Sequence, residues 1–305
     1  MPNINEIFNE ISFITHQGND AQNIVRRKYL SELQKIRDRN VVCYYSAWLS
    51  KPESNVAHIT DEDKNGFMSC FHGLDCKKGL DLILHTPGGE VAATESIIDY
   101  IRQKFGDNVE VFVPQISMSG GTMMALCGNV IHMGKQSNLG PIDPQFGRIP
   151  AQAAIDEFER AYKEINEAET PEESRAKEVV WYPILSKYQI GFLSDCRNAI
   201  EWSEKIATEA LQKGMMKGKT EDEIKRTVQS LLSREQHLNH GRHIHRGDLK
   251  DWGVTVKDLE DNQDLQDAVL SVHHAYMATM MTTGAVKIIE NHNGNALVKN
   301  LPFPT

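Results

Sequence analysis

The sequence predicts an α/β fold with a parallel sheet, followed by a helical C-terminal extension. Short apolar runs at 80–84, 109–114 and 130–133 alternate with amphipathic helical stretches. Nearly continuous apolar strands joined by helical crossovers are typical of parallel sheets covered on both faces. From about residue 150 the helical pattern dominates. The 305 residues, 40% of them hydrophobic, suffice for one large core with a helical appendage.

The individual elements can be predicted from periodicity and residue type. Residues 1–38 are charged and helical in pattern, whereas the β-branched and aromatic run 40–45 predicts the first strand. The polar segment 51–65 predicts a loop. Further helices are expected at 91–105, from about 118, at 155–165, within 181–214, at 221–232 and at 265–281.

Composition excludes several classes of protein. The formal net charge is −9 and no block of Lys and Arg stands out, so we expect no nucleic-acid partner. The five cysteines are odd in number and irregularly spaced, which suits free thiols in a reducing compartment. There is no signal-peptide pattern and no apolar stretch near the ~20 residues of a membrane helix. We expect a cytoplasmic protein without a membrane span.

Two short motifs follow neighbouring apolar runs. His-Thr-Pro-Gly-Gly occupies 85–89, after the run 80–84, and Ser-Met-Ser-Gly-Gly-Thr occupies 117–122, after the run 109–113. A Gly-Gly turn can aim backbone N–H groups into a cleft, and a serine at a strand-to-helix corner can present its hydroxyl there. The pair predicts a nucleophile beside an oxyanion hole, the minimum equipment for acyl transfer.

Each residue of this pair has an expected role. Ser119 is the candidate nucleophile, and the Gly120 N–H follows it at a helix N-terminus, where a developing oxyanion is favoured. Gly89 would supply the second N–H, with Gly88 as the neighbour that could do so instead. Ser117 is a rival hydroxyl, but no glycine N–H follows it directly.

These residues resemble a known family. Pro-Gly-Gly at 87–89 followed by Ser-Gly-Gly at 119–121 resembles the Clp/crotonase superfamily, in its signal peptide peptidase A branch, and within it the serine dehydrogenase proteinases. The stretches 139–145 (Leu-Gly-Pro-Ile-Asp-Pro-Gln), 181–188 and 247–254 add to the resemblance. It implies stacked ββα units and a ring-shaped homo-oligomer. It also implies a peptidase domain at 39–284, between a helical segment at 1–38 and a tail at 285–305.

The general base is harder to predict. Asp143 stands where a Clp-type enzyme would place its histidine, and we expect it to support the site. The resemblance implies a Ser–Lys dyad with Lys187 as the base, a role for which burial must lower the lysine pKa. Lys163 is the second lysine candidate. The fallback bases are two histidines, His85 and His132.

We therefore expect a serine peptidase that forms an acyl-enzyme on Ser119 and acts on peptide or protein substrates. No cofactor is needed for this chemistry. The run of His237, His240, His243 and His245 lacks matching Cys or acidic ligands, so we expect a solvated turn rather than a metal site. Two alternatives stay open: a catalytically silent scaffold that binds peptides or partners, and a crotonase-like acyl-thioester enzyme that binds coenzyme A.

Overall fold

A central sheet with helices on both faces organises the fold. The structure, a computed structural model of the chain, describes residues 2–16, 20–147, 149–233 and 237–301. The helices are α1 Ile4–Thr15, α2 Ala21–Arg37, α3 Asp63–Phe71, α4 Val91–Phe105, α5 Gly120–Leu126, α6 Ala151–Asn166, α7 Pro171–Leu185, α8 Phe192–Lys213, α9 Glu221–Leu232, α10 Arg246–Asp251 and α11 Gln263–Thr282. The strands are β1 Asn40–Ser46, β2 Leu80–His85, β3 Val109–Val113, β4 Ile116–Ser117, β5 Val130–Met133, β6 Asn138–Leu139, β7 Gln145–Phe146, β8 Ile149–Pro150, β9 Ile244–His245, β10 Val256–Asp258, β11 Ala285–Asn291 and β12 Ala296–Asn300.

The central sheet joins strands from both ends of the chain. In the described ranges its order is β10-β5-β3-β2-β1-β11-β12. The strands from β10 to β1 are parallel, whereas β11 is antiparallel to β1 and β12 is antiparallel to β11. A small sheet, β4-β6-β9, lies beside it. Because β2 and β3 are parallel neighbours, the loops after their carboxyl ends meet at one edge of the sheet.

Both faces of the sheet are covered. Alternate residues of β1 belong to the apolar clusters on opposite faces of the sheet. Val42 and Tyr44 pack in the cluster with α3, α4 and α8. Cys43 and Tyr45 pack in the cluster with α1, α2 and α11. This two-residue alternation is the strand period. Since both halves of the alternation are buried, β1 is apolar throughout, as parallel core strands are.

The structure confirms the predicted α/β class, with one addition at the C-terminus. The parallel strands and their crossover helices lie where the periodicity placed them, and helices dominate from 151 to 282. Residues 285–300, which we expected in a tail, instead form β11 and β12. Among the described helices, none is at once long and apolar enough to cross a bilayer.

Candidate active site

Ser119 occupies a strained corner between β4 and α5. Its backbone has φ 50° and ψ −116°, a conformation that a side chain disfavours and that clusters at functional sites. Serine often caps a helix through its hydroxyl, but the Ser119 side chain makes no such bond to α5. The half-buried hydroxyl is therefore free to face the cleft.

The Gly-Gly turn after β2 lies against this corner. Gly88 has φ +91°, and a Cβ built on it would lie 2.8 Å from both the Gly120 nitrogen and the Ser119 Cβ. A Cβ built on Gly120 would lie 3.4 Å from the Gly89 nitrogen. Neither the Gly89 nor the Gly120 N–H donates a hydrogen bond to another described residue. The two free donors are thus neighbours beside Ser119, as an oxyanion hole requires.

Ser117, the rival hydroxyl, is placed differently. It is fully buried at the end of β4, and its Oγ is enclosed without a hydrogen-bond partner in the described part of the chain. A Cβ on Gly121 would meet this Oγ directly. Ser117 is therefore enclosed by the α5 corner, whereas Ser119 lines the cavity above it.

A histidine and a carboxylate form a pair at the same cavity. His240 Nδ1 lies 2.7 Å from Asp143 Oδ1, and the other carboxylate oxygen accepts a hydrogen bond from Gln145 Nε2 at 2.8 Å. An ionised carboxylate only accepts hydrogen bonds, so Nδ1 carries the proton and Nε2 is left as the basic nitrogen. His240 and Ser119 both line the cavity. A histidine whose Nδ1 is held by a carboxylate, at a cavity that a serine also lines, has the chemistry that a general base for that serine requires.

The other histidines of the 237–245 run serve different contacts. His237 Nε2 lies 2.7 Å from the Ser230 carbonyl, and burial lowers the pKa of His237. The backbone N–H of His245 donates to the Asp248 carboxylate at the start of α10. In the ranges that the structure describes, no group of His, Cys, Asp and Glu could hold a metal ion.

The lysines expected as bases lie elsewhere. Lys187 is exposed in the turn after α7, and Lys163 is exposed on α6. Neither is among the described residues that line the cavity beside Ser119. The exposed positions lack the apolar burial on which a lysine base depends. The Ser119–Lys187 dyad stays a prediction, and the structure does not bring its two members to one cavity wall.

The two fallback histidines, His85 and His132, are both buried in the core. His85 is fully buried with neither ring nitrogen partnered among the described residues, and burial lowers its pKa to about 4. His132 stacks on Phe112 with ring centroids 4.2 Å apart, and its Nε2 lies 2.6 Å from Glu110 Oε2. Neither side chain lines the cavity.

The cavity itself has mostly apolar walls and a volume of about 790 Å³. α8 forms one wall, the segment 142–147 forms another, and the Gly-Gly turn and the Ser119 corner form the floor. The described lining residues are His58, Pro87, Gly89, Val91, Ser119, Gly120, Met123, Ile142, Pro144, Gln145, Phe146, Gly147, Ala199, Trp202, Ser203, Asn239 and His240.

A family model matches residues 13–171, just over half of the chain. The family is described as ClpP-like SDH-type serine proteinase. The chain belongs to this family. The match confirms the resemblance to the serine dehydrogenase proteinases, and the sheet with its flanking helices agrees with a ClpP-like fold. It includes the Gly-Gly turn, Ser119 and Asp143, and it ends before His240 and Lys187.

Two proteins of Methanocaldococcus jannaschii are similar to part of the sequence. One uncharacterized protein of Methanocaldococcus jannaschii is 33% identical over 140 residues, which are 45% of this chain and 49% of the relative. A second uncharacterized protein of the same organism is 32% identical over 109 residues, 36% of this chain and 37% of the relative. The alignments thus span about half, or less, of these relatives' own lengths.

The sequence does not single out His240 as a candidate base. The signal was present, because four histidines lie within nine residues at 237–245. It was interpreted as a possible metal site and set aside, since the spacing alone does not reveal that one of the four meets Asp143. That contact joins residues 97 positions apart, which no local pattern encodes.

Proposed function

We propose that this protein is a serine peptidase in which Ser119 attacks the scissile carbonyl and His240 is the general base. Asp143 orients His240, and the Gly89 and Gly120 N–H groups hold the oxyanion. The observation that carries the proposal is the 2.7 Å contact between His240 Nδ1 and Asp143 Oδ1 at the cavity that Ser119 lines. Membership of a serine proteinase family supports it at the level of the family.

The chemistry follows the donors and acceptors of the site. His240 Nε2 takes the Ser119 proton as Oγ bonds to the carbonyl carbon, and the carbonyl oxygen becomes the oxyanion. The same imidazolium then protonates the leaving amine as the C–N bond breaks, which leaves an acyl-serine. A water molecule, deprotonated by His240, attacks the acyl carbon and releases the acid and the free Ser119 hydroxyl.

The chain order Ser119, Asp143, His240 differs from the order His, Asp, Ser of chymotrypsin-like enzymes. The same geometry recurs on unrelated folds with different chain orders, and Ser-Asp-His is one of them. The chain order is therefore compatible with the proposed triad. It also accounts for the aspartate found about 25 residues after the serine, where we looked for a histidine.

Labelling with a fluorophosphonate, read by intact mass, tests the proposal. We expect one adduct on the wild-type protein and none on Ser119→Ala. The labelling rate of His240→Ala should fall by about 10²–10⁴-fold, because the hydroxyl loses its base. Asp143→Asn should also slow labelling, because it no longer fixes the imidazole tautomer.

Two further variants sharpen the test. His243→Ala removes an exposed histidine of the same segment and should label at the wild-type rate. Lys187→Ala examines the Ser–Lys dyad: loss of labelling there, with labelling kept in His240→Ala, would contradict the histidine base and favour the lysine. A protein that takes up no label would favour the silent scaffold.

The natural substrate class that we propose is peptide or protein. Homo-oligomeric assembly and a cytoplasmic location stay predictions drawn from the sequence. Size-exclusion chromatography with light scattering measures the assembly directly, and a single-chain mass would contradict it.

A further inference from the structure

The segment 57–60 lies directly against the oxyanion turn. The Ile59 N–H donates to the Gly88 carbonyl at 2.8 Å, and the Glu90 N–H donates to the Ile59 carbonyl at 2.9 Å. A Cβ placed on Gly89 would lie only 2.2 Å from the Ile59 nitrogen. The two backbones are therefore in contact, and the direction of the Gly89 N–H depends on the position of this segment.

Buried side chains from other elements hold the segment 57–60. Lys287 Nζ, from β11, donates to the His58 carbonyl at 2.6 Å and to the two oxygens of Asp63 at 2.8 and 2.7 Å. The Asp63 carboxylate also accepts the Thr60 N–H at 3.0 Å. Lys287 and Asp63 are thus hydrogen-bonded to the backbone on the two sides of Ile59.

The Lys287–Asp63 pair is fully buried, with both side chains 0% exposed. The three N–H donors of the ammonium meet three acceptors, so its hydrogen-bonding capacity is filled. The carboxylate receives two more groups, the Tyr44 hydroxyl at 2.8 Å and Lys299 Nζ at 3.2 Å. Because displacement would leave a buried charge without partners, which is costly, this cluster resists movement.

We propose that Lys287, together with Asp63, is a positioning group of the oxyanion hole. It holds the segment 57–60 and, through Ile59, sets the direction of the Gly89 N–H. The inference rests on the proposed function of Ser119 and Gly89. Lys287 lies outside the residues 13–171 that match the family model, so the C-terminal strand contributes to the site although it touches no reacting atom.

The test is the double variant Lys287→Met/Asp63→Asn. It removes both charges of the pair, and Lys299 keeps its ion pair with Glu62 at 2.9 Å, so no buried charge is left unpaired. Asparagine keeps an oxygen that can accept the Thr60 N–H. We expect kcat on a peptide substrate to fall by about tenfold or more, because an oxyanion donor is displaced. KM should stay within about twofold, since the cavity walls are unchanged.

A matched control removes a second buried ion pair, between Glu290 of β11 and Arg26 of α2. Arg26 Nε lies 3.0 Å from Glu290 Oε2, with the side chains 2% and 0% exposed, on the opposite face of β11. Arg26→Met/Glu290→Gln should lower thermal stability comparably and leave kcat at the wild-type value. An equal fall of kcat in the two double variants, or an unchanged kcat in the Lys287 variant, would overturn the positioning role.

Amide hydrogen exchange separates this inference from the proposed function. In the Lys287→Met/Asp63→Asn protein we expect faster exchange than in the control across the peptides that contain 57–60 and 88–90. Equal exchange in the two variants would overturn the inference. A wild-type protein that hydrolyses no peptide would instead contradict the proposed function, while the exchange comparison would still decide whether Lys287 holds the turn.

Discussion

Ser119 combines a disfavoured backbone conformation with a hydroxyl that makes no cap hydrogen bond to α5. Its positive φ is stabilised by what surrounds it: the Met118 carbonyl accepts the Gly121 N–H at 2.7 Å, and the Ser119 carbonyl accepts the Met123 N–H at 3.1 Å. Local strain of about 1–3 kcal/mol persists only where neighbouring contacts over-determine it. The corner therefore fixes the direction of the Ser119 Cα–Cβ bond.

Replacing Gly88 tests this corner. In Gly88→Ala the new Cβ would meet the Met118 carbonyl at 2.7 Å and the Gly120 nitrogen at 2.8 Å, at a φ of +91°. We expect fluorophosphonate labelling to slow by about 10²-fold, as when an oxyanion donor is lost. Gly106→Ala is the control, because it also has a positive φ but meets nothing within 4 Å; it should lose stability alone. Wild-type labelling of Gly88→Ala would contradict the expected geometry.

His85 makes stability depend on pH. Burial lowers its folded-state pKa to about 4, below the unfolded value of about 6.5. The unfolded chain therefore binds a proton that the folded protein excludes, and the free energy of unfolding falls as pH drops from 6.5 towards 4. The contribution of His85 over this range is about 3 kcal/mol.

Denaturant titrations between pH 7 and pH 4 measure this effect. His85→Phe removes the titrating group. The fall of the unfolding free energy between pH 6.5 and pH 4 should therefore be smaller in this variant by the contribution of His85, about 3 kcal/mol. His273, 5.5 Å away between ring centroids, also has a pKa lowered by burial and continues to contribute. Parallel curves for the wild type and His85→Phe would contradict the assignment.

At the scale of elements, α8 and β7 both contribute side chains to the cavity that Ser119 lines. Ala199, Trp202 and Ser203 lie along one wall, and Trp202 is held by its Nε1–H donating to Glu95 Oε2 at 2.9 Å. From β7, Phe146 also lines the cavity and packs edge-on against Phe192 at the start of α8, with ring centroids 5.2 Å apart. Aromatic side chains fixed by such contacts make a rigid apolar subsite.

Trp202→Ala should raise KM for peptides that carry a large apolar residue next to the scissile bond. We expect a rise of about tenfold, with kcat little changed, because ground-state and transition-state binding lose the same contact. Peptides with a small polar residue there should be nearly unaffected. Tyr182→Ala, on α7 with 75% of the side chain exposed, is the matched control. A uniform rise for both classes of peptide would contradict an apolar subsite on α8.

At the scale of the whole molecule, β11 ties the two ends of the chain together. It pairs with β1, and its Glu290 receives Arg26 from α2 at 3.0 Å and the Tyr276 hydroxyl from α11 at 3.0 Å. The N-terminal helices and the C-terminal strands therefore belong to one core. Lys287, three residues earlier, points to the other face of the same strand.

Glu290→Gln should destabilise the protein strongly. It leaves the buried Arg26 without its counter-charge, which costs about 3–5 kcal/mol. The exposed pair of Lys213 and Glu209 gives the contrast, since Glu209→Gln should change the unfolding free energy by less than about 1 kcal/mol. Equilibrium unfolding in denaturant compares the two. Similar small losses in both variants would contradict a role of Glu290 in joining the ends.

Much of the fold could be predicted because its signals are local. The strand at 130–133 and the helices at 91–105 and 221–232 have in the structure the bounds that the sequence analysis assigned. The segment 285–300 was not recognised as strand, because its polar members Lys287 and Glu290 interrupt the apolar pattern. Both are buried as ion pairs, an outcome that depends on partners far away in the chain.

By itself, the sequence determined the α/β class, the corner at Ser119 and the turn at 88–89. These features depend on residue types adjacent in the chain: apolar runs, glycines and a serine between them. Only the tertiary structure decided which histidine meets Asp143 and which lysine holds the His58 carbonyl beside the turn. Both contacts depend on the packing of distant elements, and contact between distant residues leaves no trace in local spacing.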